Sequence, residues 1–495
     1  MNRCDGLGCR EYMELSRRQF LGATGAGIIA AGVPAWLPRV ALASEFCAAR
    51  DVIVSIFLRG AVDGLTMCVP YLENAYYAAR PTLNIPQPDS GSPFAAIDLN
   101  GFFGIPPYMA PLLPAYQNGD LLFVHACGST DTTRSHFDAM KVMEYANPND
   151  PVIFSGWLGR HLMTSAPMVP GSILRAIGLN FGLQRTLHGA PDSLPIPKPN
   201  DFNLQGNAAT RPARRSVLTN LYQQTDDPLK TSAITTQATI DLLATINFNG
   251  YQSQGNTAYP NSPFGQSLKS SAALIRAEIG VEAIQIDIGG WDHHIEMGAR
   301  EGILATKLTD LAAGLAAFHA DMFAGNGINV TVVVVSEFGR RIEENGNKGT
   351  DHGHGNAMIV LGNHIAGGRV LTNWPGLQPE QLFEGRDLQT TIDYRDILAE
   401  IIKHRLANSN LATVFPNFSP TFRGVTEACA SPRGDMNCDG AISIDDVPGF
   451  SQAILDEDAF RAANASCDPL NADLNADGVI DGRDIQEFTR RLLDQ

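Results

Sequence analysis

Four short stretches of the chain concentrate residues able to do chemistry. SEFGRRIEENGNKGTDHGHG, Ser336 to Gly355, supplies Glu337, Arg340, Asp351 and His352. DIGGWDHH supplies Asp287, Asp292, His293 and His294, RGAVDGLT supplies Asp63, and GSTDTTRSHF is a run of hydroxyls closing on Ser135 and His136. Imidazole and carboxylate groups bind divalent metals, and an activated hydroxyl is a nucleophile. Each residue alone has an ordinary reading, an Asp behind a strand as a helix cap and a single His as a structural group. Their recurrence behind four apolar runs points instead to a site, with Asp292 and His294, and Asp351 and His352, as paired metal-binding candidates.

The apolar runs are what must position these residues. DVIVSIFL, DLLFVHA, EAIQIDI, NVTVVVV and AMIVLG read as short strands buried on both faces. Leu304, Leu308, Leu311, Leu315 and Phe318 recur at steps of four and three, which predicts a helix over 297–323. Strands alternating with helices give an α/β class, a three-layer α/β/α sandwich around a largely parallel sheet, in one domain over residues 50–424. Ligands in such sheets bind beyond the carboxyl ends of the strands. The polar segment IEENGNKG can fold back to bring Asp351 beside Glu337 and Arg340, so the candidate residues are expected around one cleft. Residues 184–265, rich in Asn, Gln, Thr and Pro, read as a cap or insertion.

The last 63 residues carry a different pattern. In DMNCDGAISIDD, Asp435, Asn437, Asp439, Ser443 and Asp446 take positions 1, 3, 5, 9 and 12 of a calcium loop, with Gly440 at the sharp turn and the Ala441 carbonyl at position 7. DLNADGVIDGRD repeats this 38 residues later with Asp473, Asn475, Asp477, Val479, Asp481 and Asp484. The same offset carries Val447, Phe450 and Ile454 onto Ile485, Phe488 and Leu492, so the segment is a duplication of loop plus helix. Ile442 and Ile480 are expected to pair across it. Residues 425–432 form a linker to this small module, which spans 433–495, and calcium is expected to contribute much of its folding energy.

Charge and cysteine usage agree with this division. The chain carries a formal −16, and residues 433–495 hold 14 Asp and Glu against five Arg. So acidic a chain is a poor partner for nucleic acid. Of eight Cys, Cys438 and Cys467 fall inside the module, where a bridge would staple a small exported domain. The first 43 residues place Arg17 and Arg18 before a short Gly/Ala-rich apolar stretch and end in Ala41-Leu42-Ala43, an export signal rather than an anchor. No later stretch reaches transmembrane length.

Three resemblances follow from these residues. SRRQFL with its apolar stretch resembles the twin-arginine export signal of bacteria, implying a periplasmic, cell-surface or extracellular location. Asp at position 12 and a helix on only the far side of each loop resemble the type I dockerin, which implies docking onto a cohesin-like or other extracellular scaffold. SHFDA, GGWDHH, SEFGR and GTDHG look like an uncharacterised bacterial secreted family related to the alkaline phosphatases and sulfatases. That likeness implies one or two divalent metals held at strand ends and a hydroxyl attacking a phosphate or sulfate ester. Carried over, Asp63, Asp292, His294, Asp351 and His352 become metal ligands, and Ser135, followed by His136, the candidate nucleophile. The chain has Glu337-Phe338 where related hydrolases have Asp-His, and Phe cannot ligate; Arg340 could then supply the missing positive charge to an oxyanion. The expected function is a secreted metal-dependent hydrolase of anionic esters tethered through the module. The alternative is a binding or structural protein on the same fold.

Overall fold

The computed structural model describes residues 50–148, 153–323, 328–427, 433–437, 442–464, 467, 469–475 and 479–493. The chain forms two compact units, one over Phe46–Cys429 and the other containing Ala430–Gln495. The leader expected at 1–43, most of the expected linker, and the calcium-loop residues Asp439, Gly440, Ala441 and Asp477 lie outside the described residues.

In chain order the strands of the larger unit are β1 (Val52–Leu58), β2 (Ile97–Asp98), β3 (Gly104–Ile105), β4 (Leu121–Gly128), β5 (Ala176–Gly178), β6 (Ser193–Pro195), β7 (Ala283–Ile288), β8 (Val330–Val335), β9 (Asn356–Gly362), β10 (Arg369–Leu371) and β11 (Ile392–Asp393). β2 and β3 pair alone, and the rest form one sheet in the order β10-β4-β9-β8-β1-β7-β5-β6, with β11 also on β4. The sheet is largely parallel; β9 runs antiparallel to both β4 and β8. Period-2 alternation builds a core on each face. Val52, Val54, Ile56 and Leu58 face the core shared with helices Pro263–Arg276 and Ile303–Met322. Ile53 and Phe57 face the core shared with helices Trp157–Thr164 and Tyr394–His404. The five expected strands are β1, β4, β7, β8 and β9. β5, β6, β10 and β11 span two or three residues each, too few to show a period.

One expectation needs correction. The helix predicted over 297–323 starts at Ile303, because Gly298 (φ 65°) and Gly302 (φ 134°) turn the chain through conformations that a helix does not use. Residues 184–265, read as a cap or insertion, also contribute to the main sheet. They hold helices Arg211–Gln223 and Leu229–Ala244, and β6 closes one edge of the main sheet. The first of these helices buries none of its residues.

The carboxyl ends of β1 and β8 are locked together by a buried ion pair. Asp63 and Arg80 are 1% and 0% exposed, and Arg80 reaches both carboxylate oxygens, Nη1 at 2.5 Å and Nη2 at 2.8 Å. The same guanidinium donates from Nε to the Ile342 carbonyl (2.8 Å) and from Nη2 to that of Arg341 (2.9 Å), pinning the loop behind β8. Burial opposes ionisation of Asp63, but Arg80 and Thr66 outweigh it and hold the carboxyl below its ordinary range.

The smaller unit contains helices Val447–Leu455, Glu457–Ala463 and Ile485–Leu493. The first and last follow the two loops at the expected offset, and Phe450 stacks on Phe488 with centroids 3.9 Å apart. Ile442 belongs to this unit's core and the partly buried Ile480 packs against it. The middle helix was not anticipated, although Asp456, whose Oδ1 accepts from Ala459 N (3.0 Å), is an ordinary N-cap.

Removing one partner of the buried pair leaves the other charge stranded. Arg80→Leu is expected to cost about 3–5 kcal/mol, read as a lowered denaturation midpoint, and Asp63→Leu/Arg80→Leu to be less destabilised than either single variant. Equal midpoints for Arg80→Leu and the parent would contradict this account.

Candidate functional site

Loops behind β1, β4, β7 and β8, and the segment entering β9, meet at one end of the sheet. Close approach there depends on glycine. Gly60, directly behind β1, has φ 116°, and a Cβ on it would lie 2.8 Å from Asp292 N. At Gly353 a Cβ would lie 2.4 Å from the Arg340 carbonyl carbon. Without it the opening stretch could not fold back on itself. It does so through an antiparallel bridge between Arg340 and His352, with Arg341 N on Asp351 O (3.0 Å) and Gly339 N on His354 O (2.8 Å).

This arrangement brings three imidazoles and one carboxylate to a point. Ligand atoms of His136, Asp292 and His352 lie within 4.8 Å of one another. His136 is the first residue of helix His136–Tyr145, Asp292 and His294 sit behind β7, and His352 lies on the returning strand of the bridge. Asp292 Oδ1 is 2.9 Å from His294 Nε2 and 3.3 Å from His352 Nε2, Asp292 Oδ2 is 3.4 Å from His136 Nε2, and the Nε2 atoms of His294 and His352 are 3.0 Å apart. Tetrahedral ligands around a zinc-sized ion, each about 2.0–2.2 Å from it, are roughly 3.4 Å from one another.

The proton positions follow from the partners of the other ring nitrogens. His352 Nδ1 faces the Arg134 carbonyl (2.8 Å), His136 Nδ1 faces Glu337 Oε1 (2.8 Å), and His294 Nδ1 faces Asp351 Oδ1 (3.1 Å). Each partner is an acceptor, so a neutral ring that keeps its proton on Nδ1 would turn an Nε2 lone pair inward. His136 Nε2 is buried and makes no hydrogen bond. Lone pairs that face one another and a carboxylate repel unless a cation lies among them, and these four residues could hold one.

Neighbouring charges and burial shift three of these groups. Burial works against ionisation of Asp292, but Arg340, His294 and His136 outweigh it and hold its carboxyl down at about 2. The Glu337 hydrogen bond raises the pKa of His136, while burial lowers that of His352. Phe338 stacks on His136 (centroids 5.0 Å apart) and packs against His352 (5.0 Å), forming an apolar wall behind both rings.

Several candidates stand elsewhere or act differently from the expectation. Asp63 is no ligand here, since its carboxylate is consumed by Arg80 and Thr66. Arg340 does not face an incoming anion. It is 2% exposed and donates to the carbonyls of Gly60, Ala61, Trp291 and Thr350 and to Asp292 Oδ1 (2.7 Å). Glu337 does not line a pocket. It is 1% exposed and accepts from His136, from Gly60 N (2.8 Å) and from Ser336 Oγ (2.9 Å). Asp351 orients His294 from behind. Ser135 is the half-buried N-cap residue of the helix that His136 opens, and its hydroxyl caps nothing. His136, expected beside the nucleophile, joins Asp292, His294 and His352 in the cluster, whereas Asp63 does not. His293, beside the site, is buried, and burial lowers its pKa to about 4.

The two loops of the smaller unit share one geometry. Asp446 Oδ1 accepts from Met436 N (2.7 Å) and Asn437 N (3.0 Å), and Oδ2 from Ser443 N (2.7 Å). Asp484 repeats this with Leu474 N (2.8 Å), Asn475 N (3.1 Å) and Asp481 N (3.0 Å). Asp435, Asp446, Asp473 and Asp484 are all buried, at 0–2% exposure. Carboxylates so concentrated suit a hard cation such as calcium. Cys467 is disulfide-bonded, and its expected partner Cys438 lies outside the described residues.

No curated protein matches the chain. Residues 202–407 match the family model described as a protein of unknown function, DUF1501, a span that includes Asp292, His294, Glu337, Arg340, Asp351 and His352. Residues 433–493 match the type I dockerin domain, which implies calcium binding.

Proposed function

We propose that the protein is a metal-dependent hydrolase of phosphate or sulfate esters that works outside the cytoplasm, attached to a cohesin-bearing scaffold through its dockerin module. The observation that carries the catalytic part is the convergence of three Nε2 lone pairs on Asp292, each imidazole fixed by an acceptor at Nδ1. The resemblance of SHFDA, GGWDHH, SEFGR and GTDHG to the alkaline phosphatase and sulfatase relatives supports the reaction class, and the twin-arginine resemblance of SRRQFL supports export.

When bound, a divalent ion would polarise the ester oxygen and lower the pKa of an attacking hydroxyl. The chain's own groups arrange the rest. His136, His294 and His352 present their lone pairs because Glu337, Asp351 and the Arg134 carbonyl hold the Nδ1 protons. Arg340 fixes Asp292 by a charged hydrogen bond and keeps it ionised. Phe338 keeps water from the far side of the rings. Ser135, one residue before His136, is the hydroxyl nearest in sequence to the cluster and the proposed nucleophile. A non-catalytic binding role is the second reading, favoured by the burial of Arg340, whose guanidinium is turned to backbone carbonyls and Asp292 and not to an incoming anion.

Elemental analysis of the full chain is expected to find one transition-metal equivalent in addition to calcium. His352→Ala should lose that equivalent and hydrolysis of aryl phosphate and aryl sulfate, with calcium content unchanged. Glu337→Gln, which weakens the support behind His136, should lower metal affinity by roughly 10–100-fold. Identical metal content in the parent and His352→Ala would remove the basis of the hydrolase reading. Ser135→Ala should keep the metal and lose turnover, and unchanged turnover would reassign the nucleophile.

The module gives a separate expectation. Chelation of calcium should lower helicity in far-ultraviolet circular dichroism and abolish retention on an immobilised cohesin, because four buried carboxylates then repel one another. Asp484→Ala should reproduce much of that loss without changing the transition-metal content, and retention in excess chelator would contradict a calcium-dependent module.

A further inference from the structure

The carboxyl end of β7 borders two cavities that the metal cluster does not use. The larger, about 800 Å³, lies between the end of β7 with helix Ile303–Met322 on one side and segments 197–201, 248–249 and 261–270 on the other. The smaller, about 340 Å³, is lined by Arg59, Glu144, Gln184 and His188 among others. Asn180 and Asp287 line both, so the cavities adjoin across these two side chains. The divide is rigid: Asn180 Nδ2 donates to Asp287 Oδ2 (3.1 Å), Arg59 Nη2 donates to Asp287 Oδ1 (3.0 Å), and the same Nη2 donates to Glu144 Oε1 (2.9 Å).

The lining of the larger cavity selects for a particular chemistry. Lys198, Lys269 and Lys307 are balanced by Asp201, Asp287 and Asp310, so it offers no net field to draw in a highly charged ligand. Asn180, Asn200, Asn249, Asn261 and Gln266 add amides that both donate and accept, and Ser267 and Ser270 add hydroxyls. Phe181 stands at this cavity with 88% of its surface exposed, its backbone N–H bonded to Asn180 Oδ1 (2.8 Å). An open aromatic face beside convergent amides matches a ligand with an apolar face and a hydroxylated edge, which is the chemistry of a sugar ring.

We propose that the two adjoining cavities form a glycan-binding cleft, with Phe181 as the stacking platform and the Asn180–Asp287 pair as the divide between neighbouring sugar positions. Connectivity ties the cleft to the metal cluster. Gly289 lines it three residues before Asp292, and Arg59 lines it one residue before Gly60, whose N–H bonds Glu337. The cleft thus names the substrate of the hydrolase reading as an ester carried on a polysaccharide. That assignment rests on the hydrolase reading, whereas glycan binding itself requires no metal.

Affinity electrophoresis of the full chain through gels containing soluble β-1,4-glucan, xylan, galactomannan or pectin tests it. At least one polysaccharide is expected to retard the protein, with Phe181→Ala weakening the apparent Kd roughly tenfold. The ring is exposed, so this substitution leaves packing intact, and Asn180→Ala provides a second variant inside the cleft. His352→Ala should migrate like the parent, which separates a failure of glycan binding from a failure of the hydrolase reading. Free migration in all four gels, or equal retardation of the parent and Phe181→Ala, overturns the proposal.

Discussion

A carboxylate shut away from water behind β8 is the constraint on which the rest of this end of the molecule depends. A buried charge is tolerated only when its lone pairs are filled. Glu337 meets that demand with Gly60 N from the end of β1, Ser336 Oγ from its own strand, and His136 Nδ1 from the helix that follows β4. One side chain therefore ties together the ends of three strands. The third bond also decides the chemistry of His136, because a ring that gives its Nδ1 proton to Glu337 has only a bare Nε2 to offer the cavity. Fold and site are specified by the same group.

Two buried guanidiniums complete the frame. Loops leaving parallel strands carry carbonyls that no ladder satisfies, and an unpaired buried carbonyl is costly. Arg340 answers four of them and Arg80 two, each with one carboxylate as counter-charge. The planar, five-donor fork of Arg suits this task, and Lys would lack both reach and number of donors. The same reasoning explains why Arg340 is not an anion-binding residue: its donors are already committed to the backbone. Phe338 beside it is consistent with a pocket narrowed to a single ion, since an aromatic wall occupies the space where a further ligand would stand.

Much of the scaffold was legible because buried strands announce themselves in runs such as NVTVVVV and DVIVSIFL, and because the polar residues directly behind those runs had to fall at one end of the sheet. Partners were not legible. Asp63 and Asp292 look alike in sequence, each a single Asp behind a strand, yet one is claimed by Arg80 and the other is left open to three imidazoles. The contacts that decide this, 17 residues apart for Asp63 with Arg80 and 201 apart for His136 with Glu337, depend on how the loops close and not on local spacing. Asp351 failed as a ligand for the same reason, because His294 turned its Nδ1 toward it. His136 was legible as a candidate beside Ser135, at the first turn of a helix behind a strand, but its place among the imidazoles of the cluster was not, because that depends on Glu337. A signal for the unanticipated middle helix of the module also lay in the cap at Asp456 and the acidic first turn that follows.

The calcium module was read most completely because its constraints are local. Within each loop the residue at position 12 is an Asp, and its bonds show what the shorter side chain does. Asp446 and Asp484 each close the loop by accepting backbone N–H groups from positions 2, 3 and 9, ten, nine and three residues back. Those three bonds draw the start of the loop onto the first turn of the helix behind it, so the exit helix helps to organise the loop. A Glu, longer by one methylene, would have to fold back on itself to make the same three contacts. Asp at position 12 and the helix behind each loop are therefore one structural solution, and Phe450 stacked on Phe488 joins its two copies into a unit small enough to depend on the cations it binds.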